Sequence, residues 1–507
     1  MTRETDADPS LGRLADAILI PPFPGGQEPD WIRSALGEGL AGVTLYGLNV
    51  HDRDELTSLT RRLRAAATQP IIAIDEEGGD VTRISHRTGS DYPGNAALGA
   101  IDDVALTRSV YAALGADLAA LGINLDLAPA IDVNTAADNP VIGTRSFGSD
   151  PGLVARHGAA AVAGLQSAGI AACAKHFPGH GSTRLDSHLV LATVDAPLSV
   201  VRERDLPPFA AAIAAGVQAI MPSHLRVPEL TGDLPASLSA RAQIGMLRGE
   251  LGFTGAIVSD GLEMRAVSEA YGIPEAAVLA VMAGTDLLCL GRDIDQPTFL
   301  AVRTAIIEAV RSGRLPAARL EDAADRVARL RAWTANPVPD AWAGNGAGSP
   351  IGLAAARRAI RVTGALPDLH RPLVVQLVPP SNLAAGAIPW GLAPFVPASS
   401  YREVSTATPA DNLSGVVRGL LAEAAGRSLI IVVRDAHRHP VAAHMAGLLI
   451  AARPDATLVE MGIPAWQPES GAYVASFGAA RSNSRAAAEA LGLVPDERPA
   501  AGLILGE

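Results

Sequence analysis

The stretch IAACAKHFPGHGSTRLDSH, residues 170–188, joins a run of small and apolar residues to a loop rich in glycine and titratable side chains. The apolar run is typical of a buried strand, and the glycines and the proline that follow it disfavour a helix. Three histidines, a lysine and an aspartate therefore stand where a strand ends. That position indicates a functional loop at the carboxyl end of a buried strand.

The same arrangement recurs along the first two-thirds of the chain. Apolar runs alternate with segments such as 54–67 and 106–121, whose apolar residues have helical spacing. Repeated eight times, strand and helix predict an α/β fold of the (β/α)8 TIM-like barrel type, with an open doubly wound sheet as the alternative. The runs are AILIPPF (17–23), GVTLYG (42–47), IIAIDEE (71–77), INLDLAPAIDV (123–133), IAACAKHF (170–177), AIMPSH (219–224), AIVSDG (256–261) and DLLCLG (286–291).

Polar residues at the carboxyl ends of six runs favour the barrel over the open sheet. Barrel enzymes collect their catalytic groups there because the loops that follow the strands converge at one mouth. An open sheet would bring fewer strand ends to one site. The residues are Asp75, Asp132, Lys175 with His176, His224, Asp260 and, more weakly, Arg292.

A second domain is predicted after the barrel. Residues 334–350, TANPVPDAWAGNGAGSP, have the composition of a linker, which assigns residues 1–333 to the barrel. Residues 351–507 then alternate apolar runs with Ala-rich helical segments, which predicts a smaller α/β layered domain, an αβα sandwich. Its runs are PLVVQLVP from Pro372, SLIIVVRD from Ser428, ATLVEMG from Ala456 and AYVASFG from Ala472.

Composition excludes several classes of protein. The 507 residues include 41 Lys and Arg against 53 Asp and Glu, giving a net charge of -12 without a dense basic run, so we expect no nucleic-acid partner. No apolar stretch is long enough to span a bilayer, and the acidic N-terminus lacks the pattern of a signal peptide. Two cysteines make no disulfide framework. We therefore expect a cytoplasmic protein with no membrane partner.

Two carboxylates stand at strand ends. In VSDGLEM (258–264), Asp260 can cap the next helix, or it can face the mouth and attack or stabilise an electrophilic carbon. In AIDEEGGDVTR (73–83), Asp75 can accept hydrogen bonds from vicinal sugar hydroxyls. For the neighbouring Glu76 and Glu77 we expect solvation or helix capping.

The loop after the fifth run has two possible uses. Asp186 precedes His188 by two residues, so its carboxylate can fix the tautomer of the imidazole and make it a proton carrier. Alternatively, His176, His180 and His188 could bind a metal, although their spacing matches no common zinc pattern.

Two further polar residues are ambiguous from sequence alone. Arg145, in the loop after the fourth run, is either a substrate clamp or a loop salt bridge. His224, at the end of the sixth run, is the kind of lone histidine that is often packed and hydrogen-bonded.

The loop KHFPGHGSTRLDSH resembles the signature of the β-N-acetylhexosaminidases of glycoside hydrolase family 3. The usual form is KHFPGHG, an acid or small residue, Thr, two variable positions and DSH. Other blocks similar to the family's occur in the same order: DEEGG followed by Arg83, INLDLAPAIDVN, NPVIGTRSFG, DLPPF, MPSH, PASLS, VSDGLEM and AGTDLLCLG. The resemblance covers about residues 14–330. It implies retaining hydrolysis of terminal β-linked N-acetylglucosamine on a TIM-like barrel, with no metal or organic cofactor.

The resemblance also implies residue roles. Asp260 matches the nucleophile, His188 the acid/base and Asp186 its partner. Retaining enzymes commonly pair two carboxyl groups about 5 Å apart. A histidine in place of the second carboxylate avoids like-charge repulsion beside the nucleophile and can serve both half-reactions. The positions that match sugar-binding residues are Asp75, Arg145, Lys175, His176 and His224.

The chain departs from the family pattern at two positions. Ser182 stands where the family often has an acid, and Asp80 stands where an arginine is common after EGG. The C-terminal region resembles the family's second domain more weakly, through RDAHRHP and AYVASFG, and we assign it no catalytic residue.

These observations predict an exo-β-N-acetylglucosaminidase that acts on a small saccharide, a GlcNAc-containing muropeptide or muramyl saccharide, in peptidoglycan recycling. One alternative is a β-N-acetylglucosaminide phosphorylase, in which phosphate replaces water. Another is a different family 3 exo-glycosidase such as a β-glucosidase, against which the DSH dyad argues. A catalytically inactive sugar-binding protein is the third.

Overall fold

Eight parallel strands form a closed barrel in the first part of the chain. The structure is a computed structural model that describes residues 9–335, 350–380, 386–407 and 413–495. Each barrel strand coincides with one of the eight predicted apolar runs, so the predicted TIM-like barrel is confirmed. The barrel strands are β1 (Leu19–Ile20), β2 (Gly42–Leu45), β3 (Ile71–Ile74), β4 (Leu125–Asp126), β5 (Ala171–Phe177), β7 (Ala219–Pro222), β9 (Ala256–Ile257) and β10 (Leu288–Cys289). Two short strands outside the barrel, β6 (Ala192–Thr193) and β8 (Leu225–Arg226), pair with each other.

Backbone hydrogen bonds close the ring of strands. Strands β2, β3, β4, β5, β7 and β9 pair in that order, and β10 pairs with β1. A parallel bridge between Val258 and Leu287 joins β9 to β10. The N–H of Thr44 donates to the carbonyl of Pro21 at 3.2 Å and joins β1 to β2. The carboxyl ends of all eight strands therefore open at one mouth.

Helices surround the barrel with an apolar stripe turned inward. Helix α3 shows the pattern: the Asp52 side chain caps the helix by accepting the N–H of Glu55, and Leu56, Leu59 and Leu63 are buried at helical spacing. The helices of this part are α1 (Pro9–Asp16), α2 (Asp30–Glu38), α3 (Arg53–Ala66), α4 (Asn95–Ile101), α5 (Val104–Ala120), α6 (Pro151–Ser167), α7 (Leu198–Arg204), α8 (Leu206–Ala214), α9 (Pro228–Thr231), α10 (Arg265–Tyr271), α11 (Ile273–Ala283), α12 (Gln296–Arg311) and α13 (Ala317–Thr334), with a π-type helix over Arg241–Glu250.

Membrane-spanning character was assessed over the same described ranges. No single helix there is both long and apolar enough to cross a bilayer, and only α10 with α11, bent by 106°, reaches that length and composition as a pair. Cys173 and Cys289 are buried and form no disulfide.

The C-terminal part is an αβα sandwich, as predicted. Its six-stranded sheet has the order β11, β16, β15, β14, β12, β13, with β11 antiparallel at one edge. Side chains alternate between two cores: Val375 and Ile431 face α15 and α16, whereas Val374 and Ile430 face α17. The elements are α14 (Pro350–Ala359), β11 (Arg361–Thr363), β12 (Leu373–Val378), β13 (Tyr401–Ser405), α15 (Leu413–Glu423), β14 (Leu429–Val433), α16 (Pro440–Ala452), β15 (Thr457–Glu460), β16 (Ala472–Ala475) and α17 (Arg481–Ala490).

The predicted linker, residues 334–350, lies outside the described residues except at its ends. Thr334 is the last residue of α13, and Pro350 is the first residue of α14. The domain boundaries at 333 and 351 therefore stay predictions.

A buried carboxylate ties two outer helices to the barrel wall. Asp286, two residues before β10, accepts hydrogen bonds from Arg319 at 2.6 Å, from Arg248, and from the N–H of Ile257 at 2.8 Å. We expect Asp286→Ala to lower the free energy of unfolding by about 3 kcal/mol, because two largely buried guanidinium groups lose their partner. Urea denaturation of variant and wild type measures the loss.

The control, Asp233→Ala, removes a fully exposed ion-pair partner and should leave stability unchanged. Equal effects of the two substitutions would contradict this account of Asp286.

Candidate active site

The predicted site residues gather at the carboxyl mouth of the barrel. Asp75 follows β3, Lys175 and His176 belong to the end of β5, His224 follows β7, and Asp260 follows β9. Arg145 reaches the same mouth from the 3-10 turn Gly143–Arg145 after β4. Asp186 and His188 lie on the long loop after β5. Topology alone therefore brings residues far apart in sequence to one place.

Asp260 is an ionised carboxylate set in a polar turn. Its Oδ1 accepts the N–H of Gly261 at 2.8 Å. Burial opposes ionisation, but electrostatic interaction with the rings of His224, His176 and His188 outweighs it and lowers the pKa of Asp260 below its ordinary value. The carboxylate is thus charged at neutral pH and can act as a nucleophile.

Asp186 and His188 form a hydrogen-bonded dyad. The Nδ1 of His188 lies 2.7 Å from Oδ1 of Asp186, which also accepts the backbone N–H of His188 at 2.8 Å. Burial raises the pKa of Asp186, but the hydrogen bond and charge of His188 outweigh burial and lower it. An ionised Asp186 holds the proton of the ring on Nδ1, so Nε2 is the atom that can exchange a proton with substrate or water.

The dyad is docked beside the turn that carries Asp260. The carbonyl of His188 accepts the N–H of Arg265, the first residue of α10, at 3.3 Å. Arg265 follows the turn that carries Asp260. The loop therefore holds the Asp186–His188 pair near an ionised carboxylate, and the predicted catalytic roles of these residues stay predictions.

A network of alternating charges occupies another part of the mouth. Lys175 Nζ binds Asp75 Oδ1 and lies 2.8 Å from Glu77 Oε1. Arg145 binds Glu77 through two hydrogen bonds, of 2.8 and 2.6 Å. Arg83 donates to the other oxygen of Asp75 at 2.8 Å. This arrangement presents fixed donors and acceptors in a nearly dry setting, which suits recognition of sugar hydroxyls.

These groups keep their charges despite burial. Burial favours the neutral form of each, but the opposite charges beside them outweigh it. The pKa values of the Asp75 and Glu77 carboxyl groups are lowered, and those of Lys175 and Arg145 are raised. Arg145 is therefore held in a buried ion pair, and its role as a substrate clamp stays a prediction.

Hydrogen bonding fixes the tautomer of His176. Its Nδ1 lies 2.8 Å from Asp132 Oδ2, and its Nε2 lies 3.3 Å from Nη2 of Arg145. A guanidinium group only donates, so Nε2 accepts and Nδ1 carries the proton. His176 is thus oriented by Asp132 and by Arg145.

The remaining loop histidine is structural. His180 is buried, and its ring nitrogens lie 2.7 Å from Thr183 Oγ1 and 2.8 Å from Ser187 Oγ. Burial lowers its pKa to about 4, so it is neutral. His176, His180 and His188 each turn to a different partner. They form no metal-binding group among the residues described, where the one candidate group is the exposed trio His51, Asp52 and Glu55.

His224 is fully buried beside the turn that carries Asp260. Its Nδ1 lies 2.6 Å from Ser237 Oγ, and its Nε2 lies 3.0 Å from the carbonyl oxygen of Gly261. Both ring nitrogens therefore have protein partners. The predicted contact of His224 with sugar stays a prediction, while the observed contact supports the backbone next to Asp260.

Sequence reasoning was wrong about Glu76 and Glu77, and it placed Asp132 at the mouth without predicting that Asp132 orients His176. Neither glutamate is solvated or caps a helix: both are buried, and Glu77 pairs with Arg145 and Lys175. Glu76 accepts the N–H groups of Arg83 and Ile84 and so shapes the loop that carries Asp75. No feature of the sequence around the two glutamates indicates this burial, because the cations that neutralise Glu77 come from distant parts of the chain.

Glu263 adds a titratable group to the mouth. Its Oε1 accepts the N–H of Arg292 at 2.8 Å, whereas Oε2 is buried without a hydrogen-bond partner in the described part of the chain. Burial raises the pKa of Glu263 from the ordinary 4.5 to about 7, and the charge of Asp260 adds to the effect. The folded protein thus holds a proton between these pH values that the unfolded chain releases.

The free energy of unfolding of the wild-type protein should therefore decrease as pH rises from about 4.5 to about 7, because of Glu263. Gln cannot ionise, so Glu263→Gln lacks this decrease. The free energy of unfolding of the variant minus that of wild type should therefore be about 3 kcal/mol larger at about pH 8 than at about pH 4.5. Urea unfolding at the two pH values tests this. Glu269→Gln, at an exposed position of α10, is the control and should show no such change. A difference between Glu263→Gln and wild type that is the same at both pH values would contradict the prediction.

Comparison with known proteins agrees with this geometry. The family model described as the glycosyl hydrolase family 3 N-terminal domain matches residues 28–330. The β-hexosaminidase of Stenotrophomonas maltophilia (strain K279a) is 38% identical over 280 residues, which cover 53% of this chain and 81% of that protein. β-Hexosaminidase A of Pseudoalteromonas piscicida is 33% identical over 318 residues, 58% of this chain and 53%, about half, of its own length.

A solved structure resembles the chain across both domains. The family 3 β-N-acetylglucosaminidase from Paenibacillus sp. str. FPU-7 is 30% identical, has a TM-score of 0.84, and the match covers 96% of this chain and 97% of that one. The barrel and its mouth define a glycoside hydrolase, an enzyme that cleaves O-glycosyl bonds. This chain belongs to glycosyl hydrolase family 3. The predicted resemblance to β-N-acetylhexosaminidases of that family is confirmed.

Proposed function

We propose that the protein is a retaining exo-β-N-acetylglucosaminidase that releases terminal β-linked N-acetylglucosamine from muropeptides and other cell-wall saccharides. The observation that carries the proposal is the ionised Asp260 beside the Asp186–His188 dyad at the barrel mouth. The names of the relatives, β-hexosaminidase and β-N-acetylglucosaminidase, support the substrate class. The cytoplasmic location and the role in peptidoglycan recycling belong to the proposal.

The first half-reaction forms a covalent intermediate. An oxygen of Asp260 attacks the anomeric carbon as the glycosidic C–O bond breaks. His188 donates its Nε2 proton to the leaving oxygen, and Asp186 stabilises the imidazolium before that transfer. The alkoxide of a saccharide is a poor leaving group, so this proton transfer matters most for natural substrates.

The second half-reaction restores the enzyme. His188 Nε2, now without its proton, takes one from a water molecule, whose oxygen attacks the anomeric carbon as its bond to Asp260 breaks. The sugar leaves with its original anomeric configuration. We infer that Asp75, Lys175, Arg145 and His176 hold the sugar hydroxyls during both steps, since their polar atoms are fixed by the charge network.

The experiment compares release of p-nitrophenol from the β-N-acetylglucosaminide and from the β-glucoside by the purified protein. We expect turnover of the first and little of the second. Products formed in phosphate buffer are then identified: free N-acetylglucosamine supports hydrolysis, whereas the sugar 1-phosphate would overturn it in favour of phosphorolysis. Binding of N-acetylglucosamine without turnover would instead indicate a catalytically inactive sugar-binding protein.

A further inference from the structure

Asp80 connects the sugar-binding side of the mouth to the C-terminal domain. Its side chain is buried, accepts two hydrogen bonds and forms one ion pair; one of the hydrogen bonds and the ion pair reach the C-terminal domain. Thr144 Oγ1 donates to Oδ2 at 2.6 Å, and Arg434 Nη2 lies 3.0 Å from the same oxygen. The N–H of Ala479 donates to Oδ1 at 3.0 Å. A single carboxylate thus joins one barrel loop to two loops of the sandwich.

The barrel loop that Asp80 holds is the one that carries Arg145. Thr144 directly precedes Arg145 in the turn Gly143–Arg145. A second hydrogen bond fixes the backbone of that turn, since Asn95 Nδ2 donates to the carbonyl of Arg145 at 2.7 Å. Glu77 binds the guanidinium group of Arg145. Asp80 and Glu77 belong to one short loop, so this loop controls both the backbone and the side chain of Arg145.

The partners of Asp80 in the sandwich form a place suited to an anion. Arg434 follows the carboxyl end of β14. Ala479 lies two residues before the first residue of α17, so the N–H of Ala479 is near the positive end of that helix. Arg434 also lies over the ring of Trp390, 5.8 Å from its centroid. The carboxylate of Asp80, from the barrel, occupies this position between Arg434 and the N–H of Ala479.

We propose that Asp80 is a positioning residue through which the C-terminal domain sets the affinity of the mouth for sugar. The domain supplies Arg434 and the Ala479 N–H, these fix Asp80, and Asp80 fixes Thr144 and hence Arg145. The inference rests on the proposed sugar-binding role of Arg145. The sandwich domain thus influences catalysis without placing a group on the substrate.

The test uses Asp80→Asn and Arg434→Gln in the full chain, with Arg358→Gln as matched control. Arg358 also bridges the two parts of the chain, through Asp103 at 2.8 Å, but among the described residues no hydrogen bond or ion pair joins this pair to the turn Gly143–Arg145. We expect each test variant to raise KM for the nitrophenyl β-N-acetylglucosaminide about tenfold with kcat nearly unchanged, because substrate and transition state lose the same contact. Arg434→Lys keeps the charge and should restore most of the affinity.

Binding of N-acetylglucosamine, measured by calorimetry on the same variants, provides a readout that does not need turnover. A wild-type protein that binds the sugar but does not release nitrophenol would sink the proposed function, and the affinity series would still test the role of Asp80. Unchanged affinity in folded Asp80→Asn and Arg434→Gln would overturn the inference. An equal loss in Arg358→Gln would also overturn it, since any weakening of the interface would then suffice.

Discussion

Replacing Asp260 with asparagine is expected to lower kcat for the nitrophenyl β-N-acetylglucosaminide by about 10⁴-fold or more. The amide has the shape of the carboxylate and can still accept the N–H of Gly261. It has no negative charge, however, and cannot form the bond to the anomeric carbon. Because the step itself is removed, kcat should fall while the fold and the binding of N-acetylglucosamine persist.

The control for this prediction is Asp293→Asn. Asp293 lies in the exposed loop after β10 and pairs with Arg292 on the surface, so its charge should not matter for the reaction. Activity of Asp260→Asn above about 1% of wild type would mean that another group is the nucleophile. Circular dichroism and calorimetric titration with N-acetylglucosamine confirm that the variant is folded.

Substituting His188 with alanine should have an effect that depends on the leaving group. On N,N′-diacetylchitobiose, whose leaving group is a sugar alkoxide, we expect a loss of about 10³-fold in kcat/KM, because the departing oxygen must be protonated. On the nitrophenyl glycoside, whose phenolate leaves without help, the loss in the first step should be much smaller. Comparing kcat/KM, which reports that first step, on the two substrates isolates the acid role.

His51→Ala serves as the control, since His51 is an exposed histidine near the start of α3. Asp186→Asn should follow the pattern of His188→Ala more weakly, because it removes the charge that stabilises the imidazolium. Equal losses for His188→Ala on the two substrates would assign the histidine a structural role in the loop.

Much of the fold was predictable because it depends on local pattern. Each barrel strand is a short apolar run, and the runs that became β12, β14, β15 and β16 are buried on both faces. In the sandwich domain the sequence missed the edge strands β11 (Arg361–Thr363) and β13 (Tyr401–Ser405), whose side chains are exposed or half-buried. Edge strands carry polar residues and lack the continuous apolar pattern that identifies a central strand.

Site residues were predictable where a sequence motif identifies them. They were not predictable where contacts with residues distant in the sequence determine whether a side chain is buried. The positions of Asp260 and of the Asp186–His188 pair followed from strand ends and from a specific loop signature. The burial of Glu77 depends on Arg145, from the turn after β4, and on Lys175, from the end of β5. Asp80 likewise depends on Arg434 in the other domain. A charged residue next to two glycines reads as solvated until the partners that neutralise it are known.

The most direct test of the central claim, a covalent intermediate on Asp260, is trapping it. The protein is incubated with a 5-fluoro N-acetylglucosaminyl fluoride, whose good leaving group allows the first step while the ring fluorine slows the second. Intact mass and peptide mapping should then find one fluoro-sugar bound to the peptide that carries Asp260, with no adduct on Asp260→Asn. An adduct on another carboxylate such as Glu263, or turnover without any adduct, would contradict the account.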